Sequence, residues 1–404
     1  MRVVRSGSSH LTYCTNIHAA EGWDAVFANV RRFAPALKQR FSPSAPFGIG
    51  LRLSARDARE LLEGNRLGDF RAFLDGAGLY VALINGFPHG AFHRTAVKAD
   101  VYAPDWRDDA RVRYTLDLVE ILATLVPDHV DGGISTVPLT YKPWMQADSS
   151  DGWAAVIHNI VRVVETMARL WERRAIAIHL DVEPEPDCLI ETTDEFLNFF
   201  ERRLLPDGAP LLAGRLDCDV AHAATHLRNH VRMCFDCCHY AVEFEEPGNA
   251  LRRIREAGLY VGRIQLSSAL KIRFPDDPAQ CTSLVERLRR FADATYLHQV
   301  IEKRDGTLEH YADLDVALAT RPVPAGAEWR IHFHVPLFAA DYEGLGSTQD
   351  YVRDVIAQAC VSNVTRHFEI ETYTWDVLPS GLKIDLLESI AREYEWVLGE
   401  FTRY

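Results

Sequence analysis

Eight short runs of mainly apolar residues, set between longer stretches of three-and-four periodicity, constrain this chain more than any other feature of its sequence. Residues 47–53, 79–84, 176–182, 231–235, 260–266 and 367–370 read this way, and 11–17 and 132–137 complete the set. Strands with helices on both faces have this composition, because a parallel sheet has no solvated side. The intervening stretches are amphipathic helices; the clearest carries Trp153, Val156, Ile157, Ile160, Val164, Met167 and Trp171 on one stripe. Helix starts are marked by Ser54 with Asp57 three residues on, by Asp151, and by Thr193 ahead of Asp194 and Glu195. Every run except the sixth and seventh leads directly into a helical pattern. Eight such units are most simply a closed (β/α)8 TIM barrel. An open doubly wound sheet is the alternative, but no G-x-G-x-x-G follows the first strand.

Residues 267–365 break the rhythm with a helical piece near 285–291, a hairpin from 295–301 and 307–311, and a strand-like 329–335. A stretch this long between strands seven and eight reads as an insertion forming a lid over the barrel mouth, within a single domain spanning 1–404. At 404 residues, the 44 Lys plus Arg against 57 Asp plus Glu give a net charge of −13, which argues against nucleic acid and anionic membranes as partners. The densest basic clusters, Arg252-Arg253-x-Arg255 and Arg287-x-Arg289-Arg290, fall in helical patterns and read as solvated outer faces. No apolar stretch is long enough to span a bilayer, and the N-terminus has no signal-peptide run. Eight cysteines in a chain this long do not form a disulfide framework, so a cytoplasmic location is expected.

In such a barrel the reacting groups sit at the C-terminal ends of the strands. Strand one ends Thr15-Asn16-Ile17-His18, strand two contains Arg52, and strand three ends at Asn85, followed by Pro88-His89. Strand five ends Asp181-Val182-Glu183, strand six Asp236-Cys237-Cys238-His239, and strand eight Glu369-Ile370-Glu371, with Gln265 in strand seven and His332-x-His334 in the insertion. Buried carboxylates are costly unless paired or bound to a cation. Glu183 and Glu371 are therefore either metal ligands or salt-bridge partners of Arg52 and Lys271. Asp236-x-x-His239 can serve two metals, or one metal and a substrate hydroxyl, or be a plain Asp–His hydrogen bond. His332 and His334 have ligand spacing on an extended segment, or else lie on a solvated strand face. Cys234, Cys237 and Cys238 read as packing residues, since no second C-x-x-C exists.

Val182-Glu183-Pro184, Cys234-Phe235-Asp236-Cys237-Cys238-His239, Gln265, His332-x-His334 and Ile370-Glu371-Thr372 together resemble the xylose-isomerase-like barrel superfamily of sugar isomerases, sugar epimerases and apurinic-site endonucleases. More narrowly, His10-Leu-Thr-Tyr-Cys-Thr-Asn-Ile-His18, Phe47-Gly-Ile-Gly-Leu-Arg-Leu53, Asn85-Gly-Phe-Pro-His-Gly90 and Glu371-Thr-Tyr-Thr-Trp-Asp-Val-Leu-Pro379 resemble the EboE-type metabolite traffic proteins over nearly the full length. The resemblance implies that Glu183 and Glu371 bind metal and act as acid or base. It makes Asp236 a metal ligand and His239 a contact to a second metal or to substrate, with His332 and His334 supplying that second metal. Gln265 stands where most relatives place a histidine, and its harder amide oxygen favours Mn²⁺ or Mg²⁺ over Zn²⁺. His89 matches a strand-three histidine of the endonuclease branch, but Ile134-Ser135-Thr136-Val137 lacks the next ligand, leaving a trinuclear zinc site incomplete.

The expected activity is a divalent-metal-dependent isomerase or epimerase for a sugar-like, polyhydroxylated carbonyl metabolite. Asn16, His18, Arg52, Asn85 and His89 would hold hydroxyls, and Lys142, Lys271 or Arg273 a phosphate. Phosphoester hydrolysis and non-catalytic metabolite carriage are the alternatives.

Overall fold

The computed structural model describes residues 1–3, 9–91, 98–292, 297–320, 325–342, 344–374 and 385–404. Residues 375–379 of the Glu371–Pro379 motif and 295–296 of the expected hairpin lie outside these. The strands in chain order are β1 (Arg2–Val3), β2 (Ser9–Tyr13), β3 (Phe47–Arg52), β4 (Leu79–Asn85), β5 (Gly132–Thr136), β6 (Ile178–Val182), β7 (Val231–Asp236), β8 (Val261–Leu266), β9 (Ser268–Arg273), β10 (Val300–Arg304), β11 (Thr307–Tyr311), β12 (Glu328–Val335), β13 (Asp341–Tyr342), β14 (Leu345–Ser347) and β15 (His367–Ile370).

All eight expected barrel strands are present. They pair in parallel in the order β2-β15-β8-β7-β6-β5-β4-β3, with β1 added antiparallel to β2. The ends nearly close on each other: Cys14 bridges Gly50 in parallel, and the Arg52 amide donates to Thr15 Oγ1 at 2.8 Å. Two sequence expectations are corrected. The sixth barrel strand, β7, does run straight into helices, Cys237–Val242 and Pro247–Glu256, because Asp236 caps the first of them. Trp171, placed on the buried stripe of helix Ser150–Arg174, is 48% exposed, since the stripe rotates off the barrel before the helix ends. The Ser54–Asp57 capping box is formed as expected, whereas the other two caps are Ser149 and Thr192, each before the expected position.

Residues between β8 and β15 build a second, six-stranded sheet, in the order β11-β10-β12-β9-β14-β13, on its own apolar cluster around Leu270, Trp329, Ile331 and Phe333. The 329–335 strand therefore belongs to this sheet and not to the barrel. The chain crosses from one sheet to the other at Ser267, where β8 passes directly into β9.

The barrel interior is ionic at its centre. Arg263 of β8 donates from Nε to Asp181 Oδ2 of β6 at 3.0 Å, from Nη1 to Glu369 Oε2 of β15 at 3.0 Å, and from Nη2 to the Ile84 carbonyl at 3.2 Å. All three charged side chains are fully buried. Space for them comes from glycines on neighbouring strands: a Cβ on Gly50 would lie 1.6 Å from Glu369 Oε1, and one on Gly262 1.8 Å from Asp181 Oδ1.

Candidate metal centre

Three carboxylates meet at the C-terminal ends of the strands. Asp236 spends Oδ1 on capping, accepting the His239 amide at 2.9 Å and Ser267 Oγ at 2.8 Å. Glu371 follows β15 and uses Oε1 to accept Asn16 Nδ2 at 2.8 Å and Asn85 Nδ2 at 2.9 Å. Glu183 follows β6, with Oε1 4.0 Å from His239 Nδ1. In each, the second oxygen is buried without a hydrogen bond: Asp236 Oδ2, Glu183 Oε2 and Glu371 Oε2. Such an atom loses its hydration without replacement, a cost of about 1–3 kcal/mol and more when charged. Burial raises the Glu183 carboxyl to about 8 against the pull of His239, with Asp236 and Glu185 adding repulsion. Glu371 is pushed up further by burial and by Glu183 and Asp236.

The second half comes from the other sheet. His332 and His334 on β12 are buried, where the ladder with β9 shifts register between Ile331 and Val335. Each imidazole is fixed through Nδ1: His332 to Gln299 Oε1 at 2.7 Å, His334 to the Glu371 carbonyl at 3.0 Å, and His239 to the Pro184 carbonyl at 2.8 Å. These acceptors make all three Nδ1 atoms donors and leave the Nε2 atoms to converge. His239 Nε2 lies 3.1 Å from His332 Nε2 and 3.4 Å from His334 Nε2. Oriented by outer acceptors in this way, imidazoles present lone pairs to a common point, the arrangement of ligating histidines. Burial holds His334 down to about 4 and His332 far below the usual range, whereas the surrounding Asp236, Glu185 and Glu183 outweigh burial and raise His239.

Asp236, His239 and His334 have ligand atoms within 4.8 Å of one another, as do Glu185, His239 and His332. The described residues thus hold groups able to bind a divalent ion, and the donor set fits one. A cavity of about 60 Å³ fronts them, lined also by Asn16, Asn85, Phe87, Val101, Leu297 and Tyr373.

Sequence reasoning missed Glu185. It is buried, accepts from Tyr102 Oη at 2.8 Å, and sits 3.6 Å from His332 Nδ1. The signal was the alternation Glu183-Pro184-Glu185, which turns both carboxylates the same way past the strand end. Cys238 is buried, but it is more than packing: its Sγ donates to the Phe333 carbonyl at 3.2 Å and lies within the same ligand range of His332 and His334.

Several expected contacts lie elsewhere. Arg52 turns away from the mouth to Asp57 at 3.4 Å and the Gly90 carbonyl at 2.5 Å, because its own helix cap offers a buried carboxylate. His18 stacks on Phe33 at 4.2 Å and meets Tyr13 Oη at 3.2 Å, outside the cavity lining. His89 packs edge-on to Tyr114. Lys142 pairs with Glu191 at 2.8 Å, and Lys271 with Asp350 at 2.5 Å on the outer side of the second sheet. Neither Lys271 nor Arg52 neutralises Glu183 or Glu371; the barrel's cation, Arg263, serves Asp181 and Glu369 instead. Gln265 is buried beside Asp236 in the ladder, its Oε1 accepting from Cys234 Sγ at 2.8 Å.

Behind the site, Glu393 clamps two segments, accepting from the Leu337 amide at 3.0 Å and Thr372 Oγ1 at 2.7 Å. Burial raises its carboxyl from 4.5 to about 7 despite these donors. A raised value means that its contribution to stability is complete below about 4.5 and is lost as pH rises through about 7. Comparing urea unfolding of the parent and Glu393→Gln from pH 5 to pH 8 should show an extra decline of about 3 kcal/mol in the parent alone. Parallel pH profiles would refute this.

No family model matches the chain, and no curated protein matches it. Solved structures do. They include the IolI protein with a bound zinc atom (10% identity, TM-score 0.45, covering 98% of this chain and 99% of that one). Another is a xylose isomerase-like TIM barrel protein from Mycobacterium smegmatis in complex with magnesium (14%, 0.46, 98% and 97%). A third is a xylose isomerase domain-containing protein from Salmonella typhimurium (9%, 0.43, 100% and 99%). Among the described residues, no helix is long and apolar enough to cross a membrane.

Proposed function

We propose that the protein is a divalent-metal-dependent isomerase or epimerase acting on a small polyhydroxylated carbonyl metabolite. What carries this reading is the set of three buried carboxylate oxygens, from β6, β7 and β15, that have no hydrogen bond. Glu183, Asp236 and Glu371 would hold one ion, and His239, His332 and His334 with Glu185 a second. Gln265, predicted as a ligand, is left out of both sets, since its Oε1 accepts from Cys234 Sγ. A bound divalent ion supplies electrophilic polarisation of an α-hydroxy carbonyl, acidifying the adjacent C–H. Glu183 takes that proton, and Glu371 returns one from the opposite wall. Asn16 and Asn85 fix the Glu371 carboxylate and face substrate hydroxyls. The second sheet acts as the lid, excluding water through β12. The EboE-type motifs support a role in metabolite traffic, and the acidic chain favours a small-molecule partner in the cytoplasm.

Phosphoester hydrolysis is the second reading, favoured by the imidazole cluster as an additional ion site. The test is deuterium incorporation from D2O into a panel of aldoses and ketoses, read by NMR with Mn²⁺, Mg²⁺ or Zn²⁺ supplied, beside hydrolysis of an aryl phosphodiester. Exchange next to the carbonyl is expected. Phosphodiester turnover with no exchange on any sugar would overturn the isomerase reading.

Substituting His334 with Ala should lower zinc occupancy by about 10–100-fold while the barrel stays folded, since His334 adds a ligand but little core. Unchanged metal content after gel filtration would remove His334 from the ion's surroundings.

A further inference from the structure

A separate group of metal-ligating side chains lies on the outer helical ring. Helix Val220–His230 places His222 and His226 four residues apart on one face, where helical side chains are neighbours. Glu172, in the last turn of helix Ser150–Arg174, approaches the same face. One ligand atom from each of the three lies within 4.8 Å of the others. Asp219 caps the helix through the His222 amide at 2.7 Å, so the position of His222 is set by the first turn and not by a mobile end.

His226 is the informative member. It is only 5% exposed; Nδ1 makes no hydrogen bond, and Nε2 has only a long contact, 3.5 Å, to Glu172 Oε1. Its ring is held on both sides, stacking on His222 at 4.7 Å and on His230 at 5.6 Å. His230 is itself fixed, with Nδ1 on the Ile178 carbonyl at 2.7 Å, and so helps to orient His226. A buried imidazole with one nitrogen unpaired and the other at such a distance from its carboxylate is under-satisfied.

We propose that His222, His226 and Glu172 form a separate, peripheral zinc site that staples helix Val220–His230 to helix Ser150–Arg174. Two imidazoles and one carboxylate are the donor set of open tetrahedral zinc, with water completing the fourth position. Imidazole donors select borderline ions of this kind over Mg²⁺. An ion bound only in the folded state adds to stability by mass action, so zinc here strengthens the contact between two helices that flank β6.

The test uses the full-length protein with Zn²⁺ as the probe, comparing the parent with His222→Ala and with Glu172→Gln. Both changes fall on exposed side chains, which keeps the fold intact. After dialysis against zinc, the parent should retain one equivalent more than His222→Ala, and both variants should bind that equivalent at least about tenfold more weakly. Zinc-edge anomalous scattering from parent crystals should show an ion beside His226. The zinc-induced rise in melting temperature should shrink in both variants. Equal zinc content in parent and His222→Ala, or no zinc density at His226 in zinc-soaked crystals, would overturn the proposal. Ions at the barrel mouth are common to all three proteins and cancel in the comparison.

Discussion

A Glu371→Gln variant should lose proton exchange on substrate by about 10²–10⁴-fold and fail to retain its carboxylate-bound ion. The amide keeps an oxygen where Asn16 and Asn85 donate, so the local hydrogen bonds and the barrel survive. What changes is Oε2, the atom left without a hydrogen bond. An NH2 group there cannot ligate and cannot carry the proton. A second readout separates this from simple damage. In the ion-free parent, Glu371 is crowded by Glu183 and Asp236 as well as desolvated. Replacing it by a neutral amide removes the cost of ionising a carboxyl there. The ion-free variant should therefore melt at or above the ion-free parent, while with Mn²⁺ or Mg²⁺ the order reverses. Metal analysis, NMR exchange and melting with and without EDTA give the comparison. A variant with parental metal content and exchange would remove Glu371 from the reaction.

Arg263→Met is expected to cost about 3–5 kcal/mol, because it leaves Glu369 as an uncompensated buried charge and Asp181 with His179 as its remaining partner. Desolvation already raises Glu369, and Arg263 is what holds it back. Gly262→Ala and Gly50→Ala approach the same cluster from the backbone, each driving a Cβ to within 2 Å of a carboxylate oxygen. All three should shift the urea midpoint sharply or yield no soluble protein. An Arg263→Met midpoint within error of the parent would show that the cluster contributes nothing.

The barrel was legible because double-sided burial leaves its mark on consecutive residues: 47–53, 79–84 and 367–370 needed no partner to be read as strands. The carboxylates were legible because strand ends are where polarity resumes. Arg52 misled for the same reason. It is the polar residue of its run, but its direction depends on Asp57, whose cap is local. The ionic centre was hidden, since Arg263 and Glu369 each look like a single polar interruption and only the closed sheet brings them together. Strand β9 escaped notice because its principal partner, β12, begins more than fifty residues later. Periodicity cannot report a pairing across that distance. Glu185 escaped because only the first carboxylate after β6 was weighed.

The carboxylates of the candidate metal centre hang from the barrel, and two of its imidazoles hang from β12 in the other sheet. Ligand donors split in this way make ion binding and sheet docking a single equilibrium. Chelation should then speed amide hydrogen exchange in β9, β10 and β12 while leaving β4, β5 and β6 as protected as before.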